Sequence, residues 1–151
     1  MAAQKRIHRE YAEIEASPIP GIAVHSIDED MFKWNIELTG PKDSVYAGGT
    51  FKLLLTLPTN YPFKPPVLAF QTKIYHPNVS NDDKGSMCLG ILRSDQWKPS
   101  CKIMSVLEMA RGLLVEPNPD DAVETTIAEQ FKSDKAQFEK NAKSWVKQYA
   151  K

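Results

Sequence analysis

The stretch Phe32-Lys33-Trp34-Asn35-Ile36-Glu37-Leu38 alternates apolar and polar residues, and Phe51-Lys52-Leu53-Leu54-Leu55-Thr56-Leu57 keeps Phe51, Leu53, Leu55 and Leu57 at the same spacing. Successive side chains of a strand point to opposite faces, so each run predicts a strand with one buried face. Gly40-Pro41 and Gly48-Gly49 punctuate the connection between them. Before this pair, Ile22 and Val24 alternate briefly; after it, Val67 to Phe70 is a short apolar run behind a proline-rich turn. Successive strands with short links predict an antiparallel meander.

Helical spacing flanks the strands. Ile7, Tyr11 and Ile14 fall on one face, while Lys5 and Arg9 share another with Arg6 nearby. Ser17-Pro18-Ile19-Pro20-Gly21 ends that helix, because proline lacks an N–H and restricts its predecessor. Residues 71 to 101 show no long periodic pattern, and such stretches in compact domains are usually functional or disordered. Ile103, Val106, Leu107, Ala110, Leu113 and Leu114 then make a stripe broad enough for a central, buried helix. Asp120 is expected to cap a short helix carrying Val123, Ile127 and Phe131. Ser133 is expected to cap a last helix with the face Phe138, Ala142, Trp145 and Tyr149. Helix, four strands, irregular segment and three helices, in that order, predict an α+β fold in which helices cover a sheet.

The 151 residues suffice for one domain with a single core, and no repeat or Gly/Ser-rich linker divides them. The expectation is one domain over residues 1–151 without extensions. Nineteen basic and nineteen acidic residues cancel, which argues against nucleic acid as the main partner. No apolar run approaches the ~20 residues needed to span a bilayer. The charged N-terminus, Met1 to Glu15, lacks the apolar centre of a signal peptide. A cytoplasmic or nuclear protein, off the membrane, is expected. Cys88 and Cys101 make no CxxC pair and no metal-ligand pattern, so no metal site is predicted, and a reducing compartment would keep both thiols free.

Cys88 follows Gly85-Ser86-Met87 in the irregular segment, where a large partner could reach a thiolate. Alone, a cysteine more often reads as a small buried hydrophobe. Its surroundings are more specific. Tyr61-Pro62-Phe63-Lys64-Pro65-Pro66 and Lys73-Ile74-Tyr75-His76-Pro77-Asn78 precede Cys88-Leu89. Trp97-Lys98-Pro99 and Glu116-Pro117-Asn118-Pro119-Asp120-Asp121 follow it. This ordered set resembles the ubiquitin-conjugating enzymes, the middle enzymes of the ubiquitin cascade, and the resemblance runs from Lys5 to about Tyr149.

The resemblance implies the ubiquitin-conjugating-enzyme fold and a set of roles. Cys88 matches the cysteine that takes ubiquitin as a thioester from the activating enzyme and passes it to a substrate lysine or a ligase cysteine. The activating enzyme alone spends ATP; this chain has no phosphate-cradling glycine loop, and no cofactor is expected. Asn78 matches an asparagine whose amide can donate to the oxyanion of the attacked thioester, a donor typically worth ~3 kcal/mol of barrier. It also reads as a turn residue holding its own loop. Asp121 matches the gate acid opposite the cysteine, able to orient a lysine amine whose unperturbed pKa is about 10.4. Asp120 reads mainly as a cap. His76 reads as structural, because a Cys-His protease pair would need an orienting partner and an oxyanion motif. Tyr75 and Asn118 match positions that shape the active-site groove, though packing explains each nearly as well. Cys101 matches no catalytic position.

Partner surfaces carry over in the same way. Lys5, Arg6 and Arg9 form a helix face that the activating enzyme reads in the family, or a merely solvated one. Arg6, Phe63 and Pro99 after Trp97 match the ligase site, where an exposed aromatic on a proline-stiffened loop makes an anchor; the other reading of Phe63 is core. The partners implied are ubiquitin, the activating enzyme, RING- or HECT-type ligases and substrate proteins, and the chain is expected to be a monomer. The chain departs from the commonest pattern in a longer stretch between Asn78 and Cys88, a longer one from Cys88 to Trp97, and in Gly90, Glu108 and Ala23. Two alternatives stand beside the main reading: a conjugating enzyme for another ubiquitin-like modifier, and a non-catalytic module that holds ubiquitin or a ligase.

Overall fold

The two alternating runs pair with each other as the pattern requires. In the computed structural model, which describes residues 2–27 and 31–151, β2 (Lys33–Thr39) lies antiparallel to β3 (Thr50–Thr56), with Trp34 opposite Leu55, Ile36 opposite Leu53 and Leu38 opposite Phe51. β1 (Ile22–Ile27) joins the free edge of β2, and β4 (Val67–Phe70) joins β3, giving the order β1-β2-β3-β4. All neighbours are antiparallel, so the meander is as read from the sequence. Trp34, Ile36, Leu38, Phe51, Leu53, Leu55, Leu68 and Phe70 are buried on the inner face. Met1, where the charged N-terminal stretch begins, lies outside the described residues.

Helices cover that face. α1 (Ala2–Ala16) buries Ile7 and Ile14, and α2 (Ile103–Val115) buries Ile103, Val106, Leu107, Ala110 and Leu114 in the same core. Lys102, at the N-cap of α2, offers no side-chain cap. Glu10 of α1 does so instead: its Oε1 accepts the Ile103 N–H (2.7 Å), and its Oε2 accepts from Tyr61 Oη (2.5 Å) and Arg6 Nε (2.8 Å). A buried carboxylate is tolerable only when its lone pairs are satisfied, and one facing a helix N-terminus also meets a favourable dipole. None of the helices among the described residues is long and apolar enough to cross a membrane.

Two caps differ from expectation. α3 (Thr125–Ser133) begins well after Asp120, which lies in a 3-10 turn (Pro119–Asp121) and pairs with Lys132 (3.0 Å). Proline fixes φ near a helical value and starts that short turn at once, leaving Asp120 inside it and Val123 exposed ahead of α3. α4 (Lys135–Tyr149) is capped by Asp134, whose Oδ1 accepts the Gln137 N–H, while the Ser133 hydroxyl donates back to the Glu129 carbonyl and closes α3. The face of α4 is Phe138, Ala142 and Val146; Trp145 is half-buried and Tyr149 exposed.

The stretch from residue 71 to 101 is more ordered than its lack of periodicity suggests. Val79 pairs with Met87, the Ser80 N–H donates to the Ser86 carbonyl (2.9 Å), and the Cys88 N–H donates to the Asn78 carbonyl (2.8 Å). This small hairpin lies against β4, where the Phe70 N–H donates to the Gly85 carbonyl and the Met87 N–H to Leu68. Its polar side chains hide it from a hydrophobic-pattern reading. Gly85 has φ +60, and a Cβ there would collide with the Phe70 carbonyl oxygen, so the register requires glycine.

Candidate active site

The hairpin and α2 meet over a buried histidine. His76 is fully buried, accepts the Asn78 N–H at Nδ1 (2.9 Å) and donates from Nε2 to the Leu113 carbonyl near the end of α2 (2.7 Å). One nitrogen accepting and the other donating defines a neutral ring. Burial pushes its pKa down to about 4, against a smaller opposing effect of the Leu113 carbonyl. His76 thus joins its own loop, through Asn78, to α2, through Leu113.

Asn78, also fully buried, bridges to the Pro-Asn-Pro-Asp-Asp segment. Its Nδ2 donates to the carbonyls of Asn118 (2.8 Å) and Asp121 (3.1 Å), and its Oδ1 accepts the Asn118 N–H (2.9 Å). Both amide hydrogens are therefore engaged by backbone, which is the loop-holding role. To serve an oxyanion, one of them must leave its carbonyl.

Cys88 is half-buried and emerges where the hairpin ends, in a cavity of about 240 Å³. Asn78, Asn118 and Asp121 line one side, and Met109, Gly112 and Leu113 of α2 another. A 3-10 turn (Gly90–Leu92) continues from Leu89, and a Cβ at Gly90 would meet nothing, so the rim is open. Asp121 lines the cavity, and its carboxylate Oδ1 is ion-paired to Arg93 Nη2. A half-exposed thiol and an acidic residue lining one cavity suit acyl transfer to an incoming nucleophile.

Tyr75 is not part of this cleft. Its hydroxyl donates to Gln130 Oε1 (2.6 Å) and its ring packs on Phe138 and Trp145, so packing between α3 and α4 explains it. Cys101 is half-buried, and its sulfur accepts the Lys98 N–H (3.4 Å), away from the cavity. Arg93 drew no attention in the sequence, where nothing but its place after Cys88 marks it. Among the described residues no cluster of His, Cys, Asp and Glu could hold a metal ion.

A second surface lies at the other end of α2. Phe63 is 70% exposed on the proline turn, so it is not core. Trp97 is buried behind it and donates from Nε1 to the Pro62 carbonyl (2.7 Å), which makes Trp97 the support of the turn rather than a contact surface. Pro99 is exposed beside it, and so are Lys5 and Arg9 on α1. Arg6 is mostly covered: besides Glu10 it donates to the Cys101 carbonyl (2.8 Å) and lies over the Tyr61 ring.

Residues 6–146 match the family described as ubiquitin-conjugating enzyme. The chain is 46% identical over 150 residues to "Ubiquitin-conjugating enzyme E2 14" of Schizosaccharomyces pombe, covering 99% of this chain and 96% of that protein. It is 42% identical over 151 residues to "Ubiquitin conjugating enzyme E2 B" of Dictyostelium discoideum, covering both chains completely.

Proposed function

The chain belongs to the ubiquitin-conjugating enzyme family, transferases that act through a cysteine thioester, and we propose that Cys88 is the cysteine on which it carries ubiquitin. The observation that carries this reading is the placement of Cys88. It is a half-buried thiol opening into the cavity that Asn78 and Asp121 share. Cys101 does not line this cavity.

In this reading the ubiquitin-activating enzyme supplies ubiquitin at the cost of its own ATP, and the conjugating enzyme needs no cofactor. Ubiquitin then moves to a substrate lysine or a ligase cysteine. Asp121 orients the arriving amine and Asn78 holds the floor of the cleft, one of its amide hydrogens leaving its backbone carbonyl to reach the oxyanion in the transition state. Phe63 and Pro99 form the ligase-binding surface, supported by Trp97, with Arg6 at its edge; Lys5 and Arg9 meet the activating enzyme. A cytoplasmic or nuclear setting, where thiols stay reduced, suits this chemistry. The enzyme works as a monomer on soluble protein partners.

The test is loading. Incubated with activating enzyme, ATP and ubiquitin, the wild type should form an adduct that reductant removes. Cys88→Ser should form one that reductant leaves intact, and Cys88→Ala none. A reductant-sensitive adduct on Cys88→Ala would overturn the assignment. Parallel reactions with other ubiquitin-like modifiers and their own activating enzymes test the modifier.

A further inference from the structure

Asp121, on the cavity wall, does not carry its charge alone. Arg93 comes from the segment that leaves Cys88, and its guanidinium sits on Oδ1 of Asp121. Its backbone is fixed: the Arg93 N–H donates to the Gly90 carbonyl, and its own carbonyl accepts from Gln96 and Trp97 (2.9 Å each). Trp97 is in turn bound to Pro62. The guanidinium is thus presented from an anchored turn.

We propose that Arg93 is a positioning residue that cancels the charge of Asp121, so that the cleft receives a lysine as the neutral amine rather than the ammonium ion. The proposal rests on the reading of Cys88 and Asp121 given above. A bare carboxylate within a few ångströms stabilises an ammonium ion against its amine. An ammonium ion has no lone pair and cannot attack. With Oδ1 held by Arg93, Oδ2 still accepts an N–H and orients the nitrogen, while the field that favours the extra proton is largely gone. The neutral amine then forms the N–C bond to the thioester carbonyl carbon, the C–S bond breaks, Cys88 leaves with the electron pair as thiolate, and one amine proton passes to water.

The other charged groups near the cleft leave Arg93 as the decisive one among the described residues. Asp120 beside the gate acid is paired with Lys132 of α3. His76 beneath is buried and neutral. On α2 the cavity wall is Met109, Gly112 and Leu113, with Glu108 and Glu116 flanking it. Glu124 faces the hairpin and accepts the Asn81 N–H. Asp95 is exposed on the loop beyond Arg93.

The experiment is single-turnover discharge of the ubiquitin-loaded enzyme to free lysine across the neutral to alkaline range, with wild type, Arg93→Gln, Arg93→Lys and Asp121→Asn. Arg93→Gln should move the midpoint of the rate profile to higher pH by about half a unit to one unit, the effect of one unit charge near a protein surface. Arg93→Lys should bring it back. With hydroxylamine, an amine already uncharged at neutral pH, Arg93→Gln should match the wild type. A profile lowered at every pH without a moved midpoint, or an equal loss toward hydroxylamine, would assign Arg93 a purely structural role and overturn the proposal. A wild type that fails to load, or an Asp121→Asn profile identical to the wild type, would overturn the underlying reading instead.

Discussion

Asn78 grips Asn118 in both directions: its amide donates to the Asn118 carbonyl and its carbonyl oxygen accepts the Asn118 N–H. Two segments forty residues apart in sequence are thereby locked edge to edge beside Cys88. Asn78→Ala should cost stability, about 1–3 kcal/mol for the buried backbone groups it strands. It should still load ubiquitin but discharge it to lysine about a hundredfold more slowly, the typical loss of an oxyanion donor. Denaturant titration and single-turnover discharge read the two effects separately. A less stable variant with wild-type discharge at saturating lysine would confine Asn78 to holding the loop.

His76 gives a pH dependence. Its ordinary pKa of 6.5 is pushed down to about 4 in the folded protein, so between those values the unfolded chain binds the extra proton. Stability from this group is complete above about pH 6.5 and is lost as pH falls toward about 4, up to about 3 kcal/mol. Carboxylates contribute their own slope in part of that range. The measurement is therefore a difference: the gap in unfolding free energy between wild type and His76→Gln should be constant above about pH 6.5 and narrow as pH falls from there toward about 4. Parallel curves would show that the buried ring does not titrate this way.

Gly85→Ala should damage the hairpin that carries Cys88. The φ of +60 disfavours any side chain, and the added methyl meets the Phe70 carbonyl in a position where backbone must move. A loss of about 2 kcal/mol or more is expected by urea denaturation, with slower loading at Cys88. Unchanged stability would mean that the hairpin shifts off β4 freely.

Phe63→Ala should leave the fold within about 0.5 kcal/mol of wild type, since the ring buries little. Ligase affinity should fall about thirtyfold, the effect of a 2 kcal/mol aromatic anchor. Titration against RING- and HECT-type ligases checks it, and loading serves as the control. Undiminished affinity for all of them would move the ligase site elsewhere.

The sheet was legible because its inner face obeys a simple period, from Trp34 to Leu38 and from Phe51 to Leu55. The central helix was legible for the same reason. What was hidden has no period. The Val79–Met87 hairpin is held by backbone rungs and an Asx turn at Asp82, which leave no apolar signature. Ser133 and Asp134 are both good caps, and adjacency alone could not choose between them. Glu10 and Asn78 act on partners distant in sequence, so their roles follow only from the fold. Tyr75 and Trp97 belong to the motifs, yet Tyr75 packs against α3 and α4 and Trp97 supports the proline turn. Asn78, Cys88, Asn118 and Asp121, all marked by motifs, line one cavity, while which motif residues face it and which pack elsewhere needed geometry.

The triple duty of Glu10 has a consequence for engineering. One carboxylate ties the first helix to the proline loop through Tyr61 and to the start of α2 through Ile103. Exchanging α1 as a recognition cassette, to graft another relative's choice of activating enzyme or ligase onto this scaffold, would therefore uncap the helix that walls the cleft unless positions 6 and 10 travel unchanged. Redesign of α1 should vary the outward Lys5 and Arg9 and treat the inward pair as part of the chassis.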